Sequence, residues 1–282
     1  MEETRFVFKL MGGEISVLVY DVDKGYIEKI MGDFYKEGLR LQKIFNFFDE
    51  ESELSKLNRD RKLIVSNDLL KVIKKGLVFS KLTHGKYDIS LGKKFFARKK
   101  LGKEIEISCS FRDINIVGNE VYLENDEVMV DLGSIAKGYI TDRLADFLKQ
   151  KRIEEFLIDS RGDIYIFGNY EHILGVQHPR DNEKAIINIK IKNKGVATSG
   201  DYKQFYGDFE KSHILNANDS VSISVIADSV EDADVYATAL FVANDKEKEK
   251  IMGFDKKVKS LIINRALEIK MYNNFEEVLH EL

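Results

Sequence analysis

The most informative segment of the chain reads Val130-Asp131-Leu132-Gly133-Ser134-Ile135-Ala136-Lys137-Gly138-Tyr139. It predicts a strand that ends in the Asp131 carboxylate, a tight turn, and a helix with Lys137 in its first turn. Free backbone N–H groups at a helix N-terminus, beside an ammonium group, form a good site for phosphate oxygens. Asp131 is well placed to accept hydrogen bonds from a sugar or a base. The alternative interpretation is an ordinary strand-to-helix connection with a solvated lysine.

Two long helices are predicted before this segment. Apolar residues from Ile27 to Phe48 recur at helical spacing and would cover one buried face. The second helix begins behind Ser66 and Asp68 as possible caps and stops at Gly85. Short strands are expected near 113–118, 121–124 and 127–131.

After the segment, the pattern changes to mostly strands from 156 to 227, then a helix at about 231–244 and a mixed tail. Long helices separated by groups of consecutive strands indicate an α+β fold rather than a strictly alternating α/β fold. The chain has no internal repeat, no Gly/Ser linker and a single proline. It therefore predicts one continuous domain over residues 1–282, which could have two lobes.

The composition is that of an ordinary globular protein, with 44% hydrophobic and 33% charged residues in a chain of 282. No apolar run approaches the roughly 20 residues of a membrane helix, so no membrane span is expected. The N-terminus lacks the features of a secretory signal, so we expect a cytoplasmic protein unless a leader has been removed. The net charge of −4, with scattered basic residues, gives nucleic-acid binding little support. The lone cysteine, Cys109, excludes an internal disulfide.

One basic run interrupts this scattered charge, and it comprises Lys93, Lys94, Arg98, Lys99, Lys100 and Lys103. A solvated face is the simpler interpretation of this run. A docking patch for an anionic partner is the alternative, and both stay open at this point.

A second segment that suits chemistry runs from Asp228 to Ala239. Asp234 and Thr238 lie four residues apart, so on a helix they project from one face, one turn apart. A carboxylate and a hydroxyl suit a hard cation such as Mg²⁺, which takes its remaining oxygens from water, phosphates or main-chain carbonyls. The alternative is a capped helix start with acidic residues near the positive end of its dipole, as expected for Glu231 and Asp232.

Two further segments could contact a ligand. The stretch from Ala197 to Tyr202 is small and rich in hydroxyls, which predicts a turn that a ligand can approach closely. His213 follows it and could relay a proton, although a lone histidine is more often a hydrogen-bonded structural residue. Just past a helix end, Tyr87 and Asp88 could bracket a flat heterocycle. Together the four segments fit metal-assisted chemistry at a nucleotide pyrophosphate, either hydrolysis or group transfer.

In this order and at these separations, the segments resemble the ApbE family of FAD:protein FMN transferases. The similarity runs from Met11 to about Asn244. The matching motifs are Met11-Gly12-Gly13, Asp49 through Asn58, Tyr87-Asp88, Asp131 through Tyr139, Arg161-Gly162-Asp163, Ala197 through Tyr202, and Ala233 through Thr238. The family has a two-lobed α+β architecture related to T-folds, so the resemblance implies antiparallel sheets with packed helices.

The resemblance also implies the residues of the site. Flavin contacts are expected from Met11, Lys86, Tyr87, Asp88, Asp131, Lys137 and Leu215. Magnesium is expected on Asp234, Thr238 and an oxygen of Ser134, for which the main-chain carbonyl is the candidate. His213 is the candidate acid/base, and Asp234 is counted with it as a catalytic residue.

The resemblance makes FAD the substrate and Mg²⁺ the cofactor. In the implied reaction, a Ser or Thr hydroxyl of an acceptor protein attacks the FMN phosphorus, AMP leaves, and a phosphoester links FMN to the acceptor. The chain departs from the family after His213, where Ile214 to Asp219 lacks the usual Asp-Pro and Thr-Gly. Two alternatives therefore stay open: a Mg²⁺-dependent FAD pyrophosphatase that yields FMN and AMP, and a flavin-binding protein without turnover.

Overall fold

The computed structural model describes residues 2–201 and 219–281 of the chain. Its helices are α1 (Lys24–Phe45), α2 (Glu53–Asp60), α3 (Asn67–Leu82), α4 (Gly92–Phe96), α5 (Ala136–Gln150), α6 (Val230–Val242) and α7 (Asp245–Phe254). Its strands are β1 (Glu3–Leu10), β2 (Gly13–Tyr20), β3 (Lys62–Ile64), β4 (Ile114–Val117), β5 (Glu120–Leu123), β6 (Phe156–Asp159), β7 (Ile164–Phe167), β8 (His172–His178), β9 (Asp181–Ile191), β10 (Lys194–Gly200), β11 (Ser220–Ala227), β12 (Lys259–Asn264), β13 (Ile269–Tyr272) and β14 (Leu279–His280). A π-helical turn (Ala97–Leu101) follows α4, and 3₁₀ turns occupy Phe111–Asp113 and Phe275–Val278.

An eight-stranded sheet is the centre of the fold, in the order β1-β2-β6-β7-β10-β11-β12-β13. Each neighbouring pair of strands in it runs antiparallel. Two three-stranded sheets, β14-β9-β8 and β3-β5-β4, accompany it. The predicted α+β class, with antiparallel sheets and packed helices, is confirmed. Within the two described ranges, no helix has both the length and the apolar character needed to cross a membrane.

Helices cover one face of the large sheet and enclose the larger hydrophobic core. Helix α6 packs against β10, β11 and α5, and α1 packs against α5. The opposite face carries a smaller core that includes the fully buried Phe275. Neighbouring residues of β6 join different cores, since Ile158 belongs to the helix side and Leu157 to the other. Strand β11 is buried along its whole length because it has a core on each face.

The predicted helices are confirmed, with shifted ends. Ser66 rather than Asp68 is the cap of α3, because its hydroxyl accepts a hydrogen bond from the Leu69 N–H at 3.2 Å. Helix α1 ends at Phe45, and the Asn46 side chain accepts a hydrogen bond from the Phe48 N–H at 3.1 Å just beyond it. Phe48 was expected on the buried face of α1, but it follows the helix end and is 45% exposed.

The predicted strand at 127–131 is wrong. This segment begins in a turn and makes a single isolated bridge, between Met129 and Leu91, instead of a ladder. The Asn58 side-chain amide takes the place of a neighbouring strand, since it donates to the Val130 carbonyl at 2.9 Å and accepts from the Val130 N–H at 2.7 Å. On the other side, the Asp131 N–H donates to the Ile89 carbonyl at 2.8 Å. These bonds hold Asp131 in place without regular strand pairing.

Candidate functional site

The site is built around the turn that joins Asp131 to α5. The Asp131 Oδ1 accepts a hydrogen bond from the Gly133 N–H at 3.0 Å, which closes the turn. The Ala136 N–H donates to the Leu132 carbonyl at 2.8 Å and begins the helix. The residue that precedes the helix is Ile135, whose side chain cannot cap the first N–H groups. The predicted turn and helix, with Lys137 in the first helical turn, are confirmed.

Helix α6 reaches this turn through Asp234. Its Oδ2 accepts a hydrogen bond from the Gly138 N–H at 3.2 Å, so a carboxylate of α6 caps the first turn of α5. Only glycine fits at position 138, because a Cβ there would lie 2.5 Å from the Val230 carbonyl oxygen. The close approach of the two helices brings Asp234 within electrostatic reach of Lys137.

Lys137, Asp163 and Asp234 form a buried charge cluster. The Lys137 ammonium forms an ion pair with Asp163, whose side chain is 1% exposed. Burial raises the pKa of Asp234, and the neighbouring Asp163 carboxylate raises it further. Burial acts to lower the pKa of Lys137, but the two carboxylates outweigh it and the net shift is upward. The cluster sets two buried carboxylates against one ammonium group, and a further cation would neutralise the excess negative charge.

Asp163 comes from the turn between β6 and β7. Arg161 and Gly162 adopt positive φ angles of 61° and 92° there, and the Ser160 N–H donates to the Asp163 carbonyl at 2.8 Å. The sequence interpretation included Arg161-Gly162-Asp163 among the family motifs but gave Asp163 no role. A carboxylate at the start of an apolar strand (Ile164–Phe167) was the available signal, because a buried aspartate almost always has a partner.

Thr238 lies one turn after Asp234 on α6, as predicted. Its hydroxyl lies 3.3 Å from the Ser199 Oγ. Ser199 belongs to β10, so the prediction of a turn is wrong for residues 197–200, which pair with β11. Tyr202, the last residue of the predicted turn, lies outside the described residues. The strand ends at Gly200, and the carboxylate of the next residue, Asp201, accepts two hydrogen bonds from Arg180 at 2.8 and 3.0 Å.

Ser134 links the turn before α5 to the loop after α3. Its Oγ lies 2.8 Å from the Tyr87 hydroxyl. Tyr87 is 5% exposed and its ring packs edge-on against Phe79, with the centroids 6.4 Å apart. Burial raises the pKa of the Tyr87 hydroxyl. The hydroxyl, rather than the ring face, is therefore the part of Tyr87 that reaches the turn.

The neighbours of Tyr87 are held by contacts within the protein. Asp88 accepts hydrogen bonds from the N–H and hydroxyl of Ser90 at 2.9 and 2.7 Å, and from the Phe111 N–H at 3.0 Å. The Lys86 ammonium pairs with Glu247 of α7 at 2.7 Å. Direct contact of Lys86 and Asp88 with a flavin stays a prediction.

Met11 occupies the tight turn between β1 and β2, with a φ angle of 54°. Its N–H donates to the Gln42 Oε1 at 2.5 Å, and its carbonyl accepts from the Arg161 guanidinium at 2.8 Å. Arg161 thus links Met11 to the turn that carries Asp163. The two remaining predicted residues, His213 and Leu215, lie outside the described residues, and their roles stay predictions.

Comparison with known proteins identifies the family of the chain. The family model described as the ApbE family matches residues 11–262. The chain belongs to the ApbE family. The FAD:protein FMN transferase of Buchnera aphidicola subsp. Schizaphis graminum is 25% identical over 244 residues, which cover 76% of this chain and 72% of that protein. The FAD:protein FMN transferase of Klebsiella pneumoniae is 34% identical over 131 residues, but these span only 43% of this chain and 41% of that protein.

Solved structures share the fold. The ApbE protein from Thermotoga maritima matches with a TM-score of 0.83 and 22% identity, covering 99% of this chain and 100% of that one. The flavin transferase ApbE from Vibrio cholerae matches with a TM-score of 0.80 and 22% identity over 99% of each chain. The expected ApbE architecture is therefore confirmed.

The donor groups of this ApbE-family site suit a magnesium ion. Asp234 and Thr238 come from successive turns of α6, and the cluster around Lys137 holds two carboxyl groups for one ammonium group. Among residues 2–201 and 219–281, no three His, Cys, Asp or Glu side chains form a metal cage by themselves. Magnesium would therefore take further oxygens from the main chain, water or a phosphate substrate, as it does in many proteins.

Proposed function

We propose that this chain is a FAD:protein FMN transferase, which moves the FMN half of FAD onto a Ser or Thr hydroxyl of an acceptor protein. The main support is the buried cluster of Lys137, Asp163 and Asp234 at the first turn of α5, beside Asp131. It combines an ammonium group, the positive end of the α5 helix dipole and carboxylate oxygens for a cation, which together suit a pyrophosphate. Two relatives of this chain are named FAD:protein FMN transferase.

Magnesium is the proposed cofactor, held by Asp234, Thr238 and the main-chain oxygen of Ser134. Bound there, it would withdraw negative charge from the pyrophosphate oxygens and orient them. The proposal rests on the two carboxyl groups that the cluster holds for one ammonium group, and on the Thr238 hydroxyl, which lies 3.3 Å from the Ser199 Oγ. Asp163 would keep Lys137 charged and in place.

The proposed reaction breaks one phosphoanhydride bond and forms one phosphoester bond. The acceptor hydroxyl attacks the FMN phosphorus, and the electron pair of the broken bond leaves on the AMP oxygen. Lys137 and the positive end of the α5 helix dipole stabilise the charge that develops on the phosphoryl oxygens. The hydroxyl proton passes to a base, for which His213 is the proposed residue. Asp131 would orient the flavin by accepting its hydrogen bonds.

A Mg²⁺-dependent FAD pyrophosphatase is the second candidate. It would use the same groups, with water in place of the acceptor hydroxyl. The observation that favours it is the stretch after His213, which reads Ile214-Leu215-Asn216-Ala217-Asn218-Asp219 without the Asp-Pro and Thr-Gly usual in the family.

Incubation with FAD and Mg²⁺, with and without an acceptor that contains Ser or Thr, separates the two candidates. Transfer predicts acceptor fluorescence that persists on a denaturing gel, together with one AMP for each labelled acceptor. Hydrolysis predicts free FMN and AMP in amounts that do not depend on the acceptor. Intact FAD in every sample would contradict both candidates. A sample with a chelator in place of Mg²⁺ serves as the control for metal dependence.

A further inference from the structure

A basic and aromatic surface lies beside the site and has no part in the reaction described above. It consists of residues 92–103, which form α4 and the π-helical turn after it, together with Phe47 and Phe48; we call it the basic patch. Residues 92–103 contain six lysines and arginines and no carboxylate, in a chain whose net charge is −4. The basic residues are Lys93, Lys94, Arg98, Lys99, Lys100 and Lys103.

A solvated charged face does not explain the aromatic part of the basic patch. The rings of Phe47, Phe48, Phe95 and Phe96 form one cluster, with centroid separations from 5.3 to 6.4 Å. Phe48 is 45% exposed, Phe96 38% and Leu101 59%. Exposed apolar groups that are gathered in one place and bordered by charges are typical of a surface that contacts another molecule.

The cations of the basic patch lie over these rings. The ammonium groups of Lys100 and Lys99 are 4.8 and 5.3 Å from the Phe48 ring centroid. Within the part of the chain that the structure describes, Lys94, Lys100 and Lys103 form no ion pair. Cations that lack carboxylate partners and lie beside exposed rings attract a ligand that is both anionic and apolar.

The basic patch is joined directly to the site. The Gly92 N–H donates to the Met129 carbonyl at 2.7 Å, two residues before Asp131. A Cβ at position 92 would lie 2.5 Å from the same carbonyl oxygen, so only glycine permits this approach. Burial lowers the pKa of Lys99, and the Asp131 carboxylate opposes this shift, which places the two groups within electrostatic reach. A molecule seated on the patch would therefore adjoin Asp131.

We propose that the basic patch docks an acidic segment of the acceptor protein and so presents its Ser or Thr hydroxyl to the site. This inference rests on the proposed transferase function. Lys137 and the positive end of the α5 helix dipole already meet the pyrophosphate of FAD in that proposal, so the six cations of the patch exceed what FAD requires. An acidic segment with some apolar side chains matches both the cations and the exposed Phe48 and Phe96. The acceptor is also the reactant that must lie beside the FAD pocket rather than inside it.

A binding test uses two fluorescein-labelled peptides with one central Thr each. One peptide is rich in Asp and Glu, and the other has Asn and Gln at the same positions. Fluorescence anisotropy measures their affinity for the wild type, a patch variant and a control variant. The patch variant is Lys94→Glu/Lys100→Glu/Lys103→Glu, and the control is Lys246→Glu/Lys250→Glu/Lys256→Glu. The control lysines are exposed on α7 and just after it, and their substitution changes the net charge equally.

We expect the wild type and the control to bind the acidic peptide at low salt, and the patch variant to bind it about tenfold more weakly. Affinity should fall as salt is raised, and the Asn/Gln peptide should bind weakly. Equal affinity of the three proteins for the acidic peptide would refute the docking surface. Wild-type binding to vesicles of phosphatidylcholine and phosphatidylglycerol, without binding to the peptide, would also refute it, because the patch would then suit a lipid surface.

A transfer measurement distinguishes failure of the docking surface from failure of the proposed function. With FAD and Mg²⁺, the patch variant should label the acidic peptide with a KM about tenfold higher than the wild type and with a similar kcat. Equal KM values would refute the docking surface and leave the transferase function intact. If no protein labels either peptide but the affinity difference is found, the docking surface stands and the transferase function fails. A thermal melt of each variant checks that both are folded.

Discussion

Replacement of Lys137 by methionine tests the buried charge cluster most severely. Methionine keeps an unbranched side chain that suits helix α5, so the backbone should be unaffected. The substitution removes the ammonium group from between Asp163 and Asp234, which are 1% and 6% exposed. The two carboxylates would then face each other without the cation that holds them in the folded state.

The expected loss of stability follows from the desolvation of these carboxylates. Removal of one partner from a buried ion pair costs about 3–5 kcal/mol, because the remaining charge stays out of water. The loss should lie near the lower limit, since burial and Asp163 already raise the pKa of Asp234 and allow it to take up a proton. We expect the free energy of unfolding of Lys137→Met to be about 3 kcal/mol lower near pH 8. This corresponds to a fall in Tm of roughly 5 °C for a chain of 282 residues.

The loss should also depend on pH. A carboxyl group whose pKa is higher in the folded than in the unfolded state contributes stability that is full at low pH and is lost as pH rises through the folded pKa. Asp234 is such a group, and removal of Lys137 would raise its folded pKa further. The difference in the free energy of unfolding between Lys137→Met and the wild type should therefore be smaller near about pH 5 than near about pH 8.

Urea unfolding followed by circular dichroism at both pH values measures these differences. Lys149→Met is the matched control on the same helix, because Lys149 pairs at 3.6 Å with Asp146, whose side chain is 37% exposed. The control should lose no more than about 1 kcal/mol. Added Mg²⁺ should restore part of the stability of Lys137→Met, since a cation would again lie near the two carboxylates. If Lys137→Met and the control unfold at the same urea concentration at both pH values, the buried cluster does not stabilise the fold as described.

Three further substitutions test single groups. Asp234→Ala should abolish Mg²⁺-dependent turnover of FAD with the fold retained in a thermal melt, and normal turnover would make the metal assignment wrong. His213→Ala should slow FMN transfer by about 10²–10⁴-fold, as loss of a general base does. An unchanged rate would show that His213 is not the base. Asp142 accepts hydrogen bonds from the N–H groups of Val230 and Glu231, and burial raises its pKa to about 6. The free energy of unfolding of the wild type, measured in urea, should therefore fall relative to that of Asp142→Asn as pH rises from about 4 to about 6. The same pH dependence in both proteins would contradict the raised pKa of Asp142.

The helices around the site could be predicted from the sequence because their signals are local. The apolar spacing and the cap at Ser66 predict α3 without knowledge of its neighbours. The separation of four residues between Asp234 and Thr238 likewise places both on one face of α6. The turn that leads from Asp131 into α5 is also contained in one short segment.

Features that depend on distant segments could not be predicted in this way. The Asn58 amide, rather than a paired strand, holds the segment before Asp131, although the two lie far apart in the chain. Asp163 meets Lys137 only because the turn between β6 and β7 lies against the start of α5. Ser199 has small hydroxylated neighbours that favour a turn, but pairing with β11 makes its segment a strand. In each case a tertiary contact outweighs the local preference.

Mass spectrometry of an acceptor protein after incubation with this chain, FAD and Mg²⁺ tests the proposed transfer directly. We expect the acceptor to gain the mass of one FMN unit at a Ser or Thr, with an equal amount of AMP released and no gain when Mg²⁺ is chelated. An acceptor of unchanged mass, beside free FMN and AMP or beside intact FAD, would contradict the assignment of this chain as a flavin transferase.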